Sequence, residues 1–102
     1  MDSGFIIMSR TIKVGSHTIP GVYSGFYEYL KGIDGIARIG VDSIRNGRGS
    51  PDFGVSVKYY STGDNTFKLE VVGRDSRTSW RVQIKNPLDR KRIEDLILGY
   101  EL

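Results

Sequence analysis

The hydrophobic positions along the chain change their spacing twice. Within "GVYSGFYEYLKG" they recur every three to four residues, which predicts an amphipathic helix that ends at Gly32. The same spacing returns within "NPLDRKRIEDLILG", where Asn86 and Pro87 suit a helical first turn. The predicted apolar stripes are Val22, Phe26, Leu30 and Ile33 in the first helix, and Ile93, Leu96, Ile97 and Tyr100 in the second.

Between these helices apolar and polar residues alternate, which predicts four strands with one apolar and one polar face. The alternating segments are residues 37–42, 53–60, 67–72 and 79–85. Their short connections favour an antiparallel meander. Near the start, "TIKVGSHTI" predicts a strand, a Gly-Ser turn and a short return strand. The predicted fold class is therefore α+β: a four-stranded antiparallel meander with two helices on one face, plus a short N-terminal strand or hairpin.

The phase of the alternation also predicts which side of the sheet is buried. Trp80 falls on the apolar side of its strand, and so do Phe67 and Val55 on theirs. We therefore expect Trp80 to be buried on the helix-facing side of the sheet, beside the other two side chains.

The length of the chain, 102 residues, predicts one domain over residues 1–102. Met8 offers an alternative start, which would make residues 1–7 a dispensable, flexible extension. The chain has no cysteine, which excludes disulfides and fits a reducing compartment. It also has no basic leader and no apolar run long enough for a membrane helix. We therefore predict a cytoplasmic protein without a membrane partner.

The chain carries a net charge of +3, and two of its segments, "RNGRGSPDF" and "GRDSR", combine arginine with glycine. In a meander the first and third connections lie at the same end of the sheet, so Arg45 and Arg48 should lie near Arg74 and Arg77. Glycine lets the backbone approach a ligand, and arginine offers a planar fork to phosphate or carboxylate. The pattern predicts an anion-binding rim. The alternative is a pair of soluble turns, in which Arg74 and Arg77 pair with the aspartates Asp75 and Asp52.

The polar face of the sheet is a second candidate surface, because basic side chains around an aromatic ring can follow a nucleic-acid backbone and stack a base. Its candidate binding residues are Lys58, Tyr60 and Arg81. The whole predicted face comprises Arg38, Lys58, Tyr60, Lys68, Arg81 and Lys85, with the acids Asp42 and Glu70. The alternative is a solvated sheet face, or one that pairs in a homo-oligomer.

Catalytic and metal-binding patterns are sparse. His17 is the single histidine, and it lies in a predicted turn, where a polar structural role is the simpler interpretation. One imidazole without any cysteine offers too few good ligands for zinc or another transition metal. No motif of a nucleophile and its base is present. We therefore predict no metal, no cofactor and no enzymatic activity.

The order of several segments resembles that of a known family. "SHTIPG", "GRGSP", "VSVKYY" and "TFKLEVVGRDSRTSWRVQI" follow one another over about two-thirds of the chain. This arrangement is similar to a family of short uncharacterised prokaryotic proteins labelled predicted metal-binding. The positions that carry the resemblance are Ser16, His17, Pro20 and Gly21, the loop Gly47 to Pro51, and the turn Gly73 to Arg77. The resemblance implies no established activity.

Two functional hypotheses follow from the sequence. The first is a small non-enzymatic binding module that holds an anionic ligand, nucleic acid or a phosphorylated small molecule, through its Arg-Gly loops. The second is a protein-interaction or inhibitory factor, encoded by a virus or mobile element, that masks a surface of a larger cellular complex. Salt dependence separates them, since phosphate binding weakens steeply with salt and aromatic anchoring does not.

Overall fold

The computed structural model describes residues 11–47, 56–61 and 65–100. Two helices and six strands make up this part of the chain. In chain order they are β1 (Thr11–Val14), β2 (His17–Pro20), α1 (Ser24–Lys31), β3 (Ile36–Asn46), β4 (Ser56–Ser61), β5 (Thr66–Val72), β6 (Ser76–Ile84) and α2 (Arg90–Leu98). A single 3-10 turn precedes each helix, at Gly21–Tyr23 and at Pro87–Asp89.

The fold is α+β, with a β1–β2 hairpin and a four-stranded antiparallel sheet. The predicted meander order is wrong, because the strands lie in the order β3-β6-β5-β4. Strands β4, β5 and β6 follow one another as hairpins, whereas β3 pairs with β6 at the far edge. Nine residues, 47–55, separate β3 from β4. A connection of that length exceeds a tight hairpin loop, so the two strands need not pair. The result is a Greek-key order read in the reverse chain direction.

Strand β3 is longer than its alternation predicts because its ladder contains two irregularities. The pairing with β6 shifts between Ile36 and Arg38, and again between Val41 and Ser43. The second shift leaves Asp42 without a partner in the ladder, which is the pattern of a β-bulge. The bulge reverses the phase of the alternation, so a period-two reading of the sequence ends at this residue although the strand continues to Asn46.

The buried core lies on one side of this sheet and is centred on Trp80. Its side chain has no solvent-exposed surface, which confirms the predicted burial. Phe26 from α1 meets it edge to face, with ring centroids 5.3 Å apart. Phe67 is also fully buried, and Arg90 of α2 places its guanidinium 4.8 Å from the centre of that ring. Val55, the third residue of the prediction, lies outside the described residues.

The helical stripes agree with the prediction only in part. Phe26 and Leu30 of α1 are fully buried, but Val22 is 41% exposed and its neighbour Tyr23 is buried instead. The reason is that residues 21–23 form a 3-10 turn, whose three-residue period rotates the buried side by one position. In α2 the equivalent departure is Leu96, which is 38% exposed.

A candidate anion-binding face on the sheet

The side of the sheet opposite Trp80 carries the polar positions of all four strands. The cross-strand register aligns them in rows, which gives each side chain a defined neighbour. We call this surface the basic face. Its charged residues are Arg38 and Arg45 on β3, Arg77 and Arg81 on β6, Lys68 on β5 and Lys58 on β4, with the acids Asp42 and Glu70. All six basic side chains are exposed.

The first row of the basic face sets two arginines side by side. Arg45 lies directly opposite Arg77 in the pairing of β3 with β6. The carboxylate of Glu70 approaches Arg77 to 4.0 Å, and both side chains are partly exposed. In the part of the chain that the structure describes, no carboxylate forms an ion pair with Arg45. Like charges at directly opposed positions destabilise a sheet, so this pair lacks a stabilising explanation within the described residues.

A second pair of like charges lies further along β6, where this strand pairs with β5. Lys68 of β5 is directly opposite Arg81 of β6. Arg81 also contacts Asp42, the bulged residue of β3, with 3.2 Å between Nη2 and Oδ2. Arg81 follows Arg77 by four positions, which corresponds to about 13 Å along an extended strand. A single phosphate cannot span that distance, whereas a chain of phosphates can.

One shallow depression lies at the arginine pair, and another lies on the β3 side of Arg81. One is lined by Ser43, Arg45, Glu70, Arg77, Thr78 and Ser79. The other is lined by Arg38, Gly40, Asp42, Arg81 and Gln83. In both, basic side chains border an open floor, which suits contact with a large ligand better than enclosure of a small one.

The end of the sheet that carries the first row is held by buried hydrogen bonds. The hydroxyl of Tyr23 donates to the carbonyl oxygen of Ser76 at 2.7 Å and accepts from the amide of Gly73 at 3.0 Å. The Ser76 hydroxyl lies 2.9 Å from the Tyr23 hydroxyl oxygen. The amide of Gly47 donates to the carbonyl of Asp75 at 3.0 Å, which joins the end of β3 to the β5–β6 turn. These bonds fix the backbone on both sides of the arginine pair.

The predicted rim is thus partly assembled, though not as two loops. Arg45 and Arg77 lie within strands rather than in the connections, and they are brought together because β3 pairs directly with β6. Arg74 does lie in the β5–β6 turn and is exposed. Arg48 and Asp52 lie outside the described residues. Within the described residues Arg77 contacts Glu70, and its predicted pairing with Asp52 lies outside them.

The candidates on the sheet itself have different cross-strand neighbours. Lys58 is opposite Glu70, and Arg81 is opposite Lys68. The backbone of Tyr60 pairs with that of Lys68, and its side chain is outside the described part. Ser43 and Ser79 also lie on this face, opposite each other and between the two cation pairs, although no sequence pattern marks them. Only the register identifies them, because serine is common in exposed strands.

The charge of the protein is unevenly distributed. Six of the fifteen Lys and Arg residues and two of the twelve Asp and Glu residues lie on the basic face, a local balance of +4. The other described residues include seven Lys and Arg and six Asp and Glu, a balance of +1. A concentrated field of one sign steers ligands of the opposite sign towards it.

The remaining chemistry of the described chain is limited. His17 begins β2 and pairs with Val14, within the hairpin and apart from the four-stranded sheet. Among residues 11–47, 56–61 and 65–100, no group of three His, Asp or Glu side chains is arranged to hold a metal ion. No helix in these same ranges is long and apolar enough to cross a membrane.

Comparisons with known proteins returned nothing: no family model, no curated protein and no solved structure matches this chain.

Proposed function

We propose that this protein is a small non-enzymatic binding module for nucleic acid, and that the basic face is its contact surface. The observation that carries the proposal is the pair of opposed like charges, Arg45 with Arg77 and Lys68 with Arg81. Among the described residues a carboxylate pairs with only one cation of each pair, Glu70 with Arg77 and Asp42 with Arg81, and a bound phosphate would relieve the repulsion that remains.

The spacing of the pairs favours a polymer over a small phosphorylated molecule. Because the two pairs lie about 13 Å apart along the strands, several phosphates are needed to neutralise them together. Lys58 and Arg38 extend the charged surface towards opposite edges of the sheet. A ligand that crosses the face can therefore meet cations from all four strands.

The geometry of the face favours contacts with the phosphate backbone over base readout. Its cations are exposed on an open sheet rather than on an element that can enter a groove. Phosphate contacts carry no sequence information, so we expect affinity that depends little on base sequence and strongly on salt.

The direct test is fluorescence anisotropy with a labelled 20-nucleotide strand at several salt concentrations. The parent protein should bind, with log affinity falling linearly against log salt. The double variant Arg77→Gln, Arg81→Gln should weaken binding, and the slope should fall by about 1 for each phosphate that the variant no longer neutralises. The matched control is Lys13→Gln with Lys91→Gln, since both lysines are exposed outside the four-stranded sheet and their removal changes the net charge equally.

Two results would count against the proposal. One is the absence of binding by the parent even at low salt. The other is an equal loss of affinity in the control and the test variant, which would indicate a general effect of net charge. Either result would favour the second hypothesis, a protein-interaction or inhibitory factor. In support of that alternative, Leu88 is 88% exposed at the start of the last helical region.

A further inference from the structure

We propose that Arg45, Arg77, Ser43 and Ser79 form a site for one phosphate group, the anchoring point of the basic face. This inference rests on the proposed function and deepens it by assigning a defined oxyanion site within the wider surface. The four residues occupy a two-by-two array, because Arg45 is opposite Arg77 and Ser43 is opposite Ser79. All four line the same depression.

The donors of this array match a tetrahedral oxyanion. Each guanidinium presents a planar fork of N–H groups, and each serine adds one hydroxyl donor. Phosphate offers several oxygen acceptors to such a set, and hydrogen bonds between a guanidinium and phosphate are among the strong ones in proteins. The second cation pair lacks this arrangement, because Gly40 and not a hydroxyl residue is the β3 partner of Arg81.

The array is pre-organised by its backbone. The Gly47–Asp75 hydrogen bond closes the end of β3 onto the β5–β6 turn, and the Tyr23 hydroxyl holds that turn from below. The strands therefore cannot separate easily to relieve the repulsion between Arg45 and Arg77. A site that is already held in its binding arrangement loses less conformational entropy when the ligand arrives.

Glu70 sets the strength of this site. It is the one carboxylate among the described residues that line the depression, and it lies 4.0 Å from Arg77. A bound phosphate would compete with this carboxylate for Arg77 and would be repelled by it. Removal of the Glu70 charge should therefore tighten phosphate binding, which is a gain of function that general damage to the fold cannot produce.

The depression is open, so the phosphate that it binds can be a phosphodiester within a nucleic-acid chain or a phosphate at the end of that chain. Both share the chemistry that the array recognises. Two oligonucleotides of one sequence, with and without a 5′-phosphate, distinguish these sources. Preference for the phosphorylated strand assigns the site to the terminus, and equal binding assigns it to the backbone.

The test of the site itself uses inorganic phosphate as the probe. Phosphate is titrated at constant ionic strength against the full-length protein, with NMR of the backbone amides of Ser43, Gly47 and Ser79 as the readout. Saturable shifts are expected for the parent. Arg45→Gln should weaken the apparent affinity about tenfold or more, because it removes charge-assisted hydrogen bonds to the phosphate. Glu70→Gln should strengthen it, and Lys91→Gln should leave it unchanged.

The outcomes separate the site from the function. Nucleic-acid binding by the parent without saturable phosphate shifts at these amides would overturn the site and leave the proposed function intact. Phosphate shifts that persist unchanged in Arg45→Gln would overturn it as well. If the protein binds neither phosphate nor nucleic acid, both the site and the function are wrong.

Discussion

Strand β6 serves both faces of the sheet, and its neighbouring residues Trp80 and Arg81 show how differently the two are built. On the inner face the polar groups are paired. The indole Nε1 of Trp80 donates to the hydroxyl of Thr78 at 2.6 Å, and that hydroxyl donates to the carbonyl of Val71 at 2.9 Å. On the outer face, one residue further along, Arg81 is set opposite another cation.

The comparison separates stability from function within a single sheet. Inside, each hydroxyl and indole hydrogen bond offsets the cost of burying a polar group. Outside, the register sets Arg45 opposite Arg77 and Lys68 opposite Arg81, although opposite signs at these positions would be more stable. We infer that the inner face holds the fold together, and that the outer face is organised for a ligand at some cost in stability.

The largest expected difference between the faces comes from truncating these two neighbours. Trp80→Ala removes a fully buried ring that contacts Phe26, Tyr23 and Tyr27, and it should lower the free energy of unfolding by about 3–5 kcal/mol. Arg81→Ala should cost less than about 1 kcal/mol, because its pair with Asp42 is solvent-exposed. Urea denaturation measures both values. Equal losses for the two variants would contradict the division into faces.

The next largest effect concerns the hydroxyl of Tyr23, which bonds the β5–β6 turn at the end of the sheet that carries Arg45 and Arg77. Tyr23→Phe removes the buried hydroxyl that bonds the amide of Gly73 and the carbonyl of Ser76; these two groups still bond each other at 3.0 Å, so the loss should be about 0.5–1.5 kcal/mol. Tyr29→Phe is the matched control, since its hydroxyl also bonds a carbonyl, that of Leu96, but at an exposed position. The control should lose less stability in the same denaturation experiment.

Tyr23→Phe also tests pre-organisation of the outer face. The variant keeps all the cations, so a purely electrostatic surface would bind phosphate as the parent does. If the fixed turn matters, phosphate affinity falls in Tyr23→Phe under conditions where the protein remains folded. Unchanged affinity would show that the basic face needs charge and no particular backbone arrangement.

The inner face was predictable from the sequence and the arrangement of the outer face was not. Alternation in β5 and β6 is regular, so the burial of Trp80 and Phe67 follows from local pattern alone. The position of β3 depends on which strand it pairs with, and a nine-residue connection leaves that choice open. The bulge at Asp42 then changes the phase of the strand without a signal in its residue types.

The pairing partner of β3 and the bulge at Asp42 also decide how much of the candidate site could be predicted from the sequence. Arg45 and Arg77 were predicted to be neighbours at one end of a meander, and they are neighbours because their strands pair directly. The predicted proximity of the two arginines is therefore correct, but the predicted cause of it, a shared end of a meander, is not. Ser43 and Ser79 carry no sequence signal of their own, and their place between the cation pairs is a property of the register.

A substitution with a smaller expected effect tests whether the like-charge pairs of the outer face lower the stability of the protein. Lys68→Glu replaces a repulsive cross-strand pair with an attractive one opposite Arg81, and it should raise the free energy of unfolding by about 0.2–1 kcal/mol. The same substitution should weaken nucleic-acid binding. Lys91→Glu is a control of opposite sign, because Lys91 pairs with Asp95 one helical turn away and its reversal should lower stability. A loss of stability in Lys68→Glu would contradict the proposed cost of the outer face.

The smallest expected effect is a pH dependence of stability that arises from Tyr100, which packs on the inner side of the sheet. Burial raises the pKa of Tyr100 above its ordinary value of 10.0, because the charged form is poorly solvated beside the rings of Phe26 and Tyr29. The unfolded chain then releases the proton of Tyr100 at lower pH than the folded chain does. The stability associated with this hydroxyl is therefore fully present below about pH 10 and is lost as the pH rises through the folded pKa. Thermal unfolding between about pH 8 and 11 should show a steeper decline in the parent than in Tyr100→Phe. Identical declines would mean that this hydroxyl is as well solvated in the folded protein as in the unfolded chain, and the inner side would then be less closed around α2 than its ring contacts indicate.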